Sequence, residues 1–433
     1  MYVIYGKWKT WNWLKMLMDK LKIENVIMDD SDIDHQILWN SEKIIISPWI
    51  PHSNIIFGKY KEKIISELNF VWEVLDDLWI KKNFEFIGVT WTNWKSTSVW
   101  ILYNIFTKLK TIKDLNLTSN IRLSWNFDIP LCQTIFEILE KKLENEKHIV
   151  ILECSSFMLK TLKNIEFEYS IRLNFAVDHL NRHPHIDDYF QSKKNILRLT
   201  KKTAFVNNLL KDWNIERWKN DGITCSIEIF DESYDLKSTK FMGKYNAGNI
   251  NACYLLTKKY LTDNSKNSSL CWNSSLCSEW QLEKIISQIE PLPHHMILIK
   301  TIDWINIYDD AKSKSSLSIR RALECFDEKV VLIAGGYDKW WDDYSLLGDI
   351  FAEKVIFASL IGQTAKIFSE VMNGKKTENK IYPDLKSAFN WALEYAKKNQ
   401  IKNLLFSPGC ASYDMFKNFE ERASLFVKIV NGI

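Results

Sequence analysis

The sequence predicts an α/β protein built on parallel sheets, in three domains. Short β-branched runs alternate with amphipathic helical stretches from end to end. Three strand-to-helix loops read as anion-binding turns. The composition, 46% hydrophobic and 26% charged over 433 residues, is that of a globular chain with a sizeable core. The strand runs are Tyr2–Tyr5, Asn25–Met28, Lys43–Ser47, Phe84–Val89, His148–Cys154, Ser170–Val177, Val330–Ala334, Lys354–Ala358 and Asn403–Ser407. Each anion loop opens a new strand-helix-strand unit, which sets the domains at residues 1–83, 84–293 and 294–433, the second closing at Pro291-Leu292-Pro293.

The loops carry an anomaly. A loop that cradles phosphate turns its backbone N–H groups onto the anion, often at positive φ, so glycine suits it and an indole suits it least. Yet Val89-Thr90-Trp91-Thr92-Asn93-Trp94-Lys95-Ser96-Thr97 follows one strand run. Another is followed by Gly6-Lys7-Trp8-Lys9-Thr10-Trp11, with Gly-x-Trp-x-x-Trp in place of the Gly-x-Gly-x-x-Gly dinucleotide fingerprint. Asp29 and Asp30 stand where that fingerprint has its acidic residue, about 20 positions further on. A third loop, Gly335-Gly336-Tyr337-Asp338-Lys339-Trp340-Trp341, closes the run Val330–Ala334.

Composition agrees. The chain has 13 glycines and 19 tryptophans, together about 7% of the residues, the ordinary glycine frequency. The tryptophans follow neither helical nor strand periodicity and sit in loops among Lys, Asn, Thr and Asp. We therefore read most or all of them as glycine positions, the pattern produced when UGA codons that specify glycine are translated as tryptophan. Taken literally, exposed indoles and lysines would make a stacking platform for single-stranded nucleic acid, and indoles at 91 and 94 would block a nucleotide.

A net charge of +3, with lysines spread along the chain, excludes an electrostatic case for nucleic acid or membrane as partner. Eight cysteines without a C-x-x-C pair fit a reduced cytosolic protein. Cys271 and Cys277 fall in a duplicated Asn-Ser-Ser-Leu-Cys stretch, read as a surface-loop insertion. No apolar run reaches the roughly 18 residues of a membrane span, and no signal-peptide core is present, so a cytoplasmic monomer is expected. The spacing of His179, His183 and His185 fits no common zinc pattern.

With glycine read at 91 and 94, the central loop takes the form T-G-T-N-G-K-[ST]-[ST], and here the chain resembles the Mur ligase family. Further blocks carry the resemblance in order: Ser47-Pro48-Trp49-Ile50-Pro51, Trp125-Asn126 with Pro130-Leu131, Glu153-Cys154-Ser155-Ser156-Phe157, Asp178-His179 with Arg182-His183, Tyr189 to Lys193, and Ser407-Pro408-Gly409-Cys410-Ala411-Ser412. The last block, with Asp414, Phe416, Phe419 and Arg422, is similar to the D-glutamate-adding branch. The resemblance implies a Rossmann-like N-terminal domain that binds the UDP-substrate, a central P-loop ATP-binding domain and a Rossmann-like C-terminal domain that binds the amino acid. The implied activity is ATP- and Mg²⁺-dependent ligation of D-glutamate to UDP-N-acetylmuramoyl-L-alanine through an acyl phosphate, in peptidoglycan synthesis. A folylpolyglutamate synthase-like ligase is the nearest rival.

Residue roles follow from the same resemblance. Trp91, Thr92, Asn93, Trp94, Lys95, Ser96, Thr97, Asn246, Asn249 and Asp310 match ATP-binding positions, and Lys95 would reach the β/γ-phosphates. Ser96, Glu153, His179 and Lys193 match metal ligands, Lys193 as a carbamylated lysine; Lys95, His179 and Lys193 are the catalytic set. Thr10, Asp29 and Trp49 match the uridine diphosphate end of the substrate and Asn126 its muramoyl end. Lys312, Lys339, Ser412 and Phe419 match amino-acid positions. Three departures stand out: Lys314 replaces a threonine, Tyr245 a histidine, and His295 an arginine.

Overall fold

The β-branched runs form strands that, one hairpin strand excepted, present their carboxyl ends to one edge of each sheet. β1 (Tyr2–Tyr5), β2 (Asn25–Met28), β3 (Lys43–Ile46) and β4 (Ile64–Ile65) make a parallel sheet in the order β2-β1-β3-β4. β5 (Phe84–Thr90), β6 (Asn120–Ser124), β7 (His148–Cys154), β8 (Phe167–Arg172), β9 (Thr200–Asn207) and β10 (Ser226–Phe230) make a second, again parallel, in the order β10-β9-β8-β5-β7-β6. The third contains β11 (Ile297–Ile302), β12 (Ile305–Asp309), β13 (Val330–Ala334), β14 (Val355–Leu360), β15 (Glu378–Ile381) and β16 (Asn403–Phe406), in the order β11-β12-β16-β13-β14-β15. Only the β11–β12 hairpin in it is antiparallel. This computed structural model describes all residues except 7–8, 48–49, 51–53, 91–94, 113–114, 116, 126–128, 176–181, 184, 214–220, 265–277, 340–341 and 433.

The chain divides into two units, Met1–Asp235 with Ala247–Ile289, and Leu236–Asn246 with Glu290–Ile433. In the first, the two sheets share one hydrophobic cluster, Ile4, Leu17, Leu68 and Leu75 packing in it with Phe86, Ile135 and Val150. A polar tie crosses this core. The Glu67 carboxylate, buried, accepts the Cys132 N–H at 2.8 Å in the first turn of helix Leu131–Glu140, where the helix dipole favours an anion. Burial nonetheless pushes its carboxyl up from the ordinary value. In the second unit, residues of β13 alternate between two clusters: Val330, Leu332 and Ala334 join one, Val331 and Ile333 the other. That is a strand covered on both faces, as a doubly wound sheet requires.

β1, β2, β7 and β13 coincide with the predicted runs, and β3, β5, β14 and β16 differ only at their ends. β8 starts at Phe167 and ends at Arg172, ahead of the predicted Ser170–Val177, because the buried Phe167 and Tyr169 extend the apolar face backwards. Among the described residues no helix is long and apolar enough to cross a membrane.

The expectation that the tryptophans sit in loops is corrected. Trp11, Trp13, Trp39, Trp72, Trp100, Trp280 and Trp391 all lie in helices. Trp11 and Trp72 are buried, the latter edge-on to Phe86 with ring centroids 5.8 Å apart; amphipathic helices found apolar faces for them that a pattern search missed. One other stands where glycine is at home. Helix Glu67–Asp77 closes in a Schellman turn: Trp79 N–H donates to Asp76 O at 2.9 Å and Ile80 N–H to Leu75 O at 3.1 Å. Trp79, at φ +58° and 86% exposed, takes the left-handed place that glycine usually fills. Asp303-Trp304 is the two-residue loop between Ile302 and its partner Ile305; the left-handed residue of the pair is Asp303, at φ +56°, not Trp304.

A bulky residue in the left-handed region costs about 1 kcal/mol or more, so Trp79→Gly should raise the urea midpoint by an equivalent amount. Trp72→Gly should lower stability by roughly 3 kcal/mol. Changes of the same sign in the two variants would refute the assignment of the two indoles to different environments.

Candidate active site

At the edge of the first sheet, β1 ends in Gly6 at φ +97°, whose N–H donates to Met28 O at 2.8 Å. Thr10 lies in the first turn of the following helix, Lys9–Lys20, while Asp29 and Asp30 follow β2. Tyr5 Oη donates to Asp30 Oδ1 at 2.5 Å and Asn54 Nδ2 to the same oxygen at 2.9 Å. Asp29 Oδ1 accepts from the Ser31 backbone N–H at 2.9 Å and from its hydroxyl. Thr10 and Asp29 thus flank the place where strand order reverses about β1, the usual seat of a nucleotide in such sheets. Trp49 lies outside the described residues.

The second sheet repeats the arrangement. Val89 pairs with Glu153 and Thr90 with Cys154 across β5 and β7. Helix Lys95–Lys110 starts beyond β5, and in its first turn Ser96 Oγ donates to Glu153 Oε2 at 2.8 Å. Glu153 is buried. The hydroxyls of Thr97 and Ser98 are buried too and find no hydrogen-bond partner among the described residues. A helix N-terminus with orphan hydroxyls, a lysine and a carboxylate is suited to phosphate and to a hard cation. Lys193, buried in helix Ile186–Arg198, has its Nζ 4.8 Å from the Tyr189 ring centroid. Three of the predicted charges bear on one point: burial and Glu153 push the Cys154 thiol up, while Lys193 and Lys95 pull it back. Trp91, Thr92, Asn93, Trp94, Asn126 and His179 lie outside the described residues.

One network had no role assigned from sequence. His183, fully buried, bonds Asp188 Oδ2 through Nδ1 at 2.6 Å and Ser156 Oγ through Nε2 at 3.0 Å, and stacks on Phe157 with centroids 5.3 Å apart. Lys160 donates to both Asp188 oxygens, at 2.8 and 2.9 Å. Ser, His and Asp in this order suggest a nucleophile, but Ser156 is 2% exposed, so the network is a brace. It joins helix Ser156–Thr161, just past Glu153, to the helix that carries Lys193. The histidine in the block Asp178–His183 and Ser156 in the block Glu153–Phe157 were visible signals; Asp188 and the pairing of the three were not.

In the second unit, the adjacent ends of β12, β16 and β13 carry Asp310, Ser407 and Gly335-Gly336. Ser407 Oγ donates to Asp310 Oδ2 at 2.7 Å, and burial pushes the Asp310 carboxyl well up. Lys312 Nζ lies 5.2 Å from the Phe419 ring centroid, and Lys339 Nζ donates to Lys314 O at 2.8 Å. Ser412 is buried in the turn it closes, its carbonyl accepting the Phe416 N–H at 2.9 Å. Asn246 donates to Met242 O at 2.7 Å; Asn249, one turn along the same helix, belongs to the first unit.

Such strand ends define an α/β protein that binds phosphorylated ligands at the carboxyl edges of parallel sheets. Residues 89–245 match the model of the Mur ligase middle domain. The chain is 28% identical over 436 residues to the UDP-N-acetylmuramoylalanine–D-glutamate ligase of Aquifex aeolicus, covering 99% of this chain and 98% of that protein. Its fold is similar to that of MurF from Acinetobacter baumannii, with a TM-score of 0.59 at 15% identity over 84% of this chain and 82% of that one. MurF from Thermotoga maritima, solved in complex with ADP, gives 0.56 at 13% identity over 100% and 95%. Residues 89–245 thus carry a Mur ligase middle domain, and along nearly its whole length the chain is similar to a ligase of that kind.

The brace has a pH signature. Burial lowers the His183 pKa below the ordinary histidine value despite Asp188, so the unfolded chain takes up this proton more readily than the folded one. Stability is then complete above the ordinary value and lost as pH falls through it. The urea midpoint should drop between about pH 7 and pH 5, and His183→Gln should flatten that drop. An unchanged slope in the variant would exclude His183 as its source.

Proposed function

We propose that the chain is an ATP-dependent ligase that joins D-glutamate to UDP-N-acetylmuramoyl-L-alanine, a step of peptidoglycan precursor synthesis. The observation that carries this reading is the match along nearly the whole chain to a ligase named for that reaction, together with Ser96 and Glu153 hydrogen-bonded beside the start of helix Lys95–Lys110. The domains follow as residues 1–83 for the UDP-substrate, 84–293 for ATP and 294–433 for the amino acid.

ATP with Mg²⁺ supplies the phosphoryl group that activates the alanyl carboxylate as an acyl phosphate, which the amine of D-glutamate attacks. Phosphoryl transfer needs positioning and charge neutralisation above all. Lys95 neutralises phosphate charge at the head of its helix. Ser96, Thr97 and Glu153 form an oxygen set that fits Mg²⁺, the Thr97 hydroxyl being buried without a hydrogen-bond partner among the described residues. Lys193 joins that set once carbamylation has turned its ammonium into a carboxylate-like group, with His179 as a further ligand. Thr10, Asp29 and the residue at 49 hold the uridine diphosphate end and Asn126 the muramoyl end. Asn246, Asn249 and Asp310 serve ATP, and Lys312, Lys339, Ser412 and Phe419 the amino acid. The protein works as a cytoplasmic monomer. The residues at 49, 91, 94 and 125 act as glycine.

The test is a ligation assay with UDP-N-acetylmuramoyl-L-alanine, ATP, Mg²⁺ and a panel of amino acids, run on the full chain and on the chain carrying Trp91→Gly and Trp94→Gly. The glycine form should release phosphate and add D-glutamate in preference to other amino acids, with the tryptophan form at least about a hundredfold slower. Glu153→Gln in the glycine form should lower kcat by about the same factor. A folded glycine form that prefers L-glutamate on a folate, or ligates nothing, contradicts the reading.

A further inference from the structure

One side chain joins the carboxyl edges of the first two sheets. Arg182 Nη2 donates to Ile50 O at 3.1 Å, in the loop after β3, while the guanidinium carbon lies 4.5 Å from the Phe157 ring centroid. A planar guanidinium does both at once, donating along its rim while its face covers a ring. Phe157 lies in helix Ser156–Thr161, which starts just beyond β7 and Glu153. The next residue along from Arg182, His183, stacks on the same ring and belongs to the brace.

The loop end of this tie is anchored on the first sheet. Ile50 N–H donates to Ser47 O at 3.1 Å, and Ser47 N–H to Tyr5 O at 3.0 Å. The Ile50 side chain packs on the cluster of Val3, Tyr5 and Met28. It also closes against the anion loop after β1, where a Cβ on Gly6 would lie 3.0 Å from Ile50 Cδ1. Neither Ile50 nor Phe157 belongs to the apolar cluster that the two sheets share; the contact between them runs through Arg182. A shift of Ile50 moves one wall of the first edge, and a shift of Phe157 moves the element that follows Glu153. A substrate that bridges the two edges is sensitive to their separation, since misplacing reacting atoms by about 1 Å costs on the order of a hundredfold in rate.

We propose that Arg182 is a positioning residue that clamps the loop after β3 to helix Ser156–Thr161, so that a substrate seated by its diphosphate at the first sheet presents its carboxylate to the phosphate site of the second. This rests on the reaction assigned above. Arg182 acts through Ile50 and Phe157, and its effect falls on the alignment of the bound substrate. The hydrogen bonds of Ser47 and Ile50 keep the loop on its own sheet without it, so substrate affinity is retained when the clamp is lost.

The experiment uses the full chain with Trp91→Gly and Trp94→Gly, alone and combined with Arg182→Met, Arg182→Lys or Phe157→Leu, and measures ligation of D-glutamate to UDP-N-acetylmuramoyl-L-alanine. Methionine keeps an apolar stem on Phe157 and gives up the donor to Ile50; lysine keeps a charged donor. Arg182→Gln stands in should the methionine chain not fold. Arg182→Met should lower kcat about tenfold or more, with the KM for each substrate within about twofold and the far-ultraviolet circular dichroism unchanged. Arg182→Lys should recover most of the loss. Phe157→Leu should lower kcat too, and adding Arg182→Met to it should cost less than Arg182→Met costs by itself, as coupled residues require. An unchanged kcat, a lysine variant no better than methionine, additive losses, or a KM for the UDP-substrate that rises as kcat falls overturns the proposal. Should the parent chain ligate nothing, the reaction reading fails by itself, and hydrogen exchange decides the clamp. Exchange of the Ile50 amide about tenfold faster in Arg182→Met than in the parent supports it; equal exchange overturns it.

Discussion

The hydrogen bond from Ser96 to the buried Glu153 is the constraint on which the chemistry of the first unit depends. It exists because β5 and β7 pair in parallel with Val89 opposite Glu153, and a slip of one residue would turn Glu153 to the other face of the sheet. The register is held by strands buried on both sides, β7 being buried along its whole length. Once Glu153 is fixed there, the head of helix Lys95–Lys110 can satisfy only part of it with Ser96. The neighbouring hydroxyls of Thr97 and Ser98 stay unpaired among the described residues, each at a cost of about 1–3 kcal/mol. A fold keeps such groups where a ligand completes them.

The three sheets apply one rule. β1 lies between β2 and β3, β5 between β7 and β8, and β13 between β14 and β16; each is the strand about which the order reverses, so the loop after it faces a crevice. Glycine is demanded there by space as well as by φ. A Cβ on Gly335 would sit 2.1 Å from Ile361 O, a separation no side chain tolerates. The loop after β5 has the same position in its sheet, and it is the one in which the sequence has Trp91 and Trp94.

Much of this could be read from the chain. Buried parallel strands are nearly continuous apolar runs, so β1, β7 and β13 were visible as such. Strands at or near the edges were not: β15, an edge strand, is Glu378-Asn379-Lys380-Ile381, and β9, one in from the edge, opens on Thr200-Lys201-Lys202-Thr203, polar at the places where a strand search looks for alternation. The β11–β12 hairpin was hidden because its turn reads Asp303-Trp304, which carries no turn signal until Trp304 is taken as glycine. Site residues inside motifs, such as Lys95, Glu153 and Lys193, were legible from order and spacing. The brace of Ser156, His183 and Asp188 and the pairing of Lys312 with Phe419 were not, since both depend on side chains far apart in sequence that only packing brings together. The helical tryptophans show the opposite error, in which missing periodicity and polar neighbours assigned a whole residue type to loops.

The central claim is that positions 91 and 94 are glycine in the working protein, because the loop after β5 must admit phosphate. Mass spectrometry of the peptide from Asn83 to Lys95, taken from the protein as its own cell makes it, tests this directly. The account predicts glycine residue masses at both positions. Tryptophan masses there, in protein that ligates D-glutamate, would contradict it.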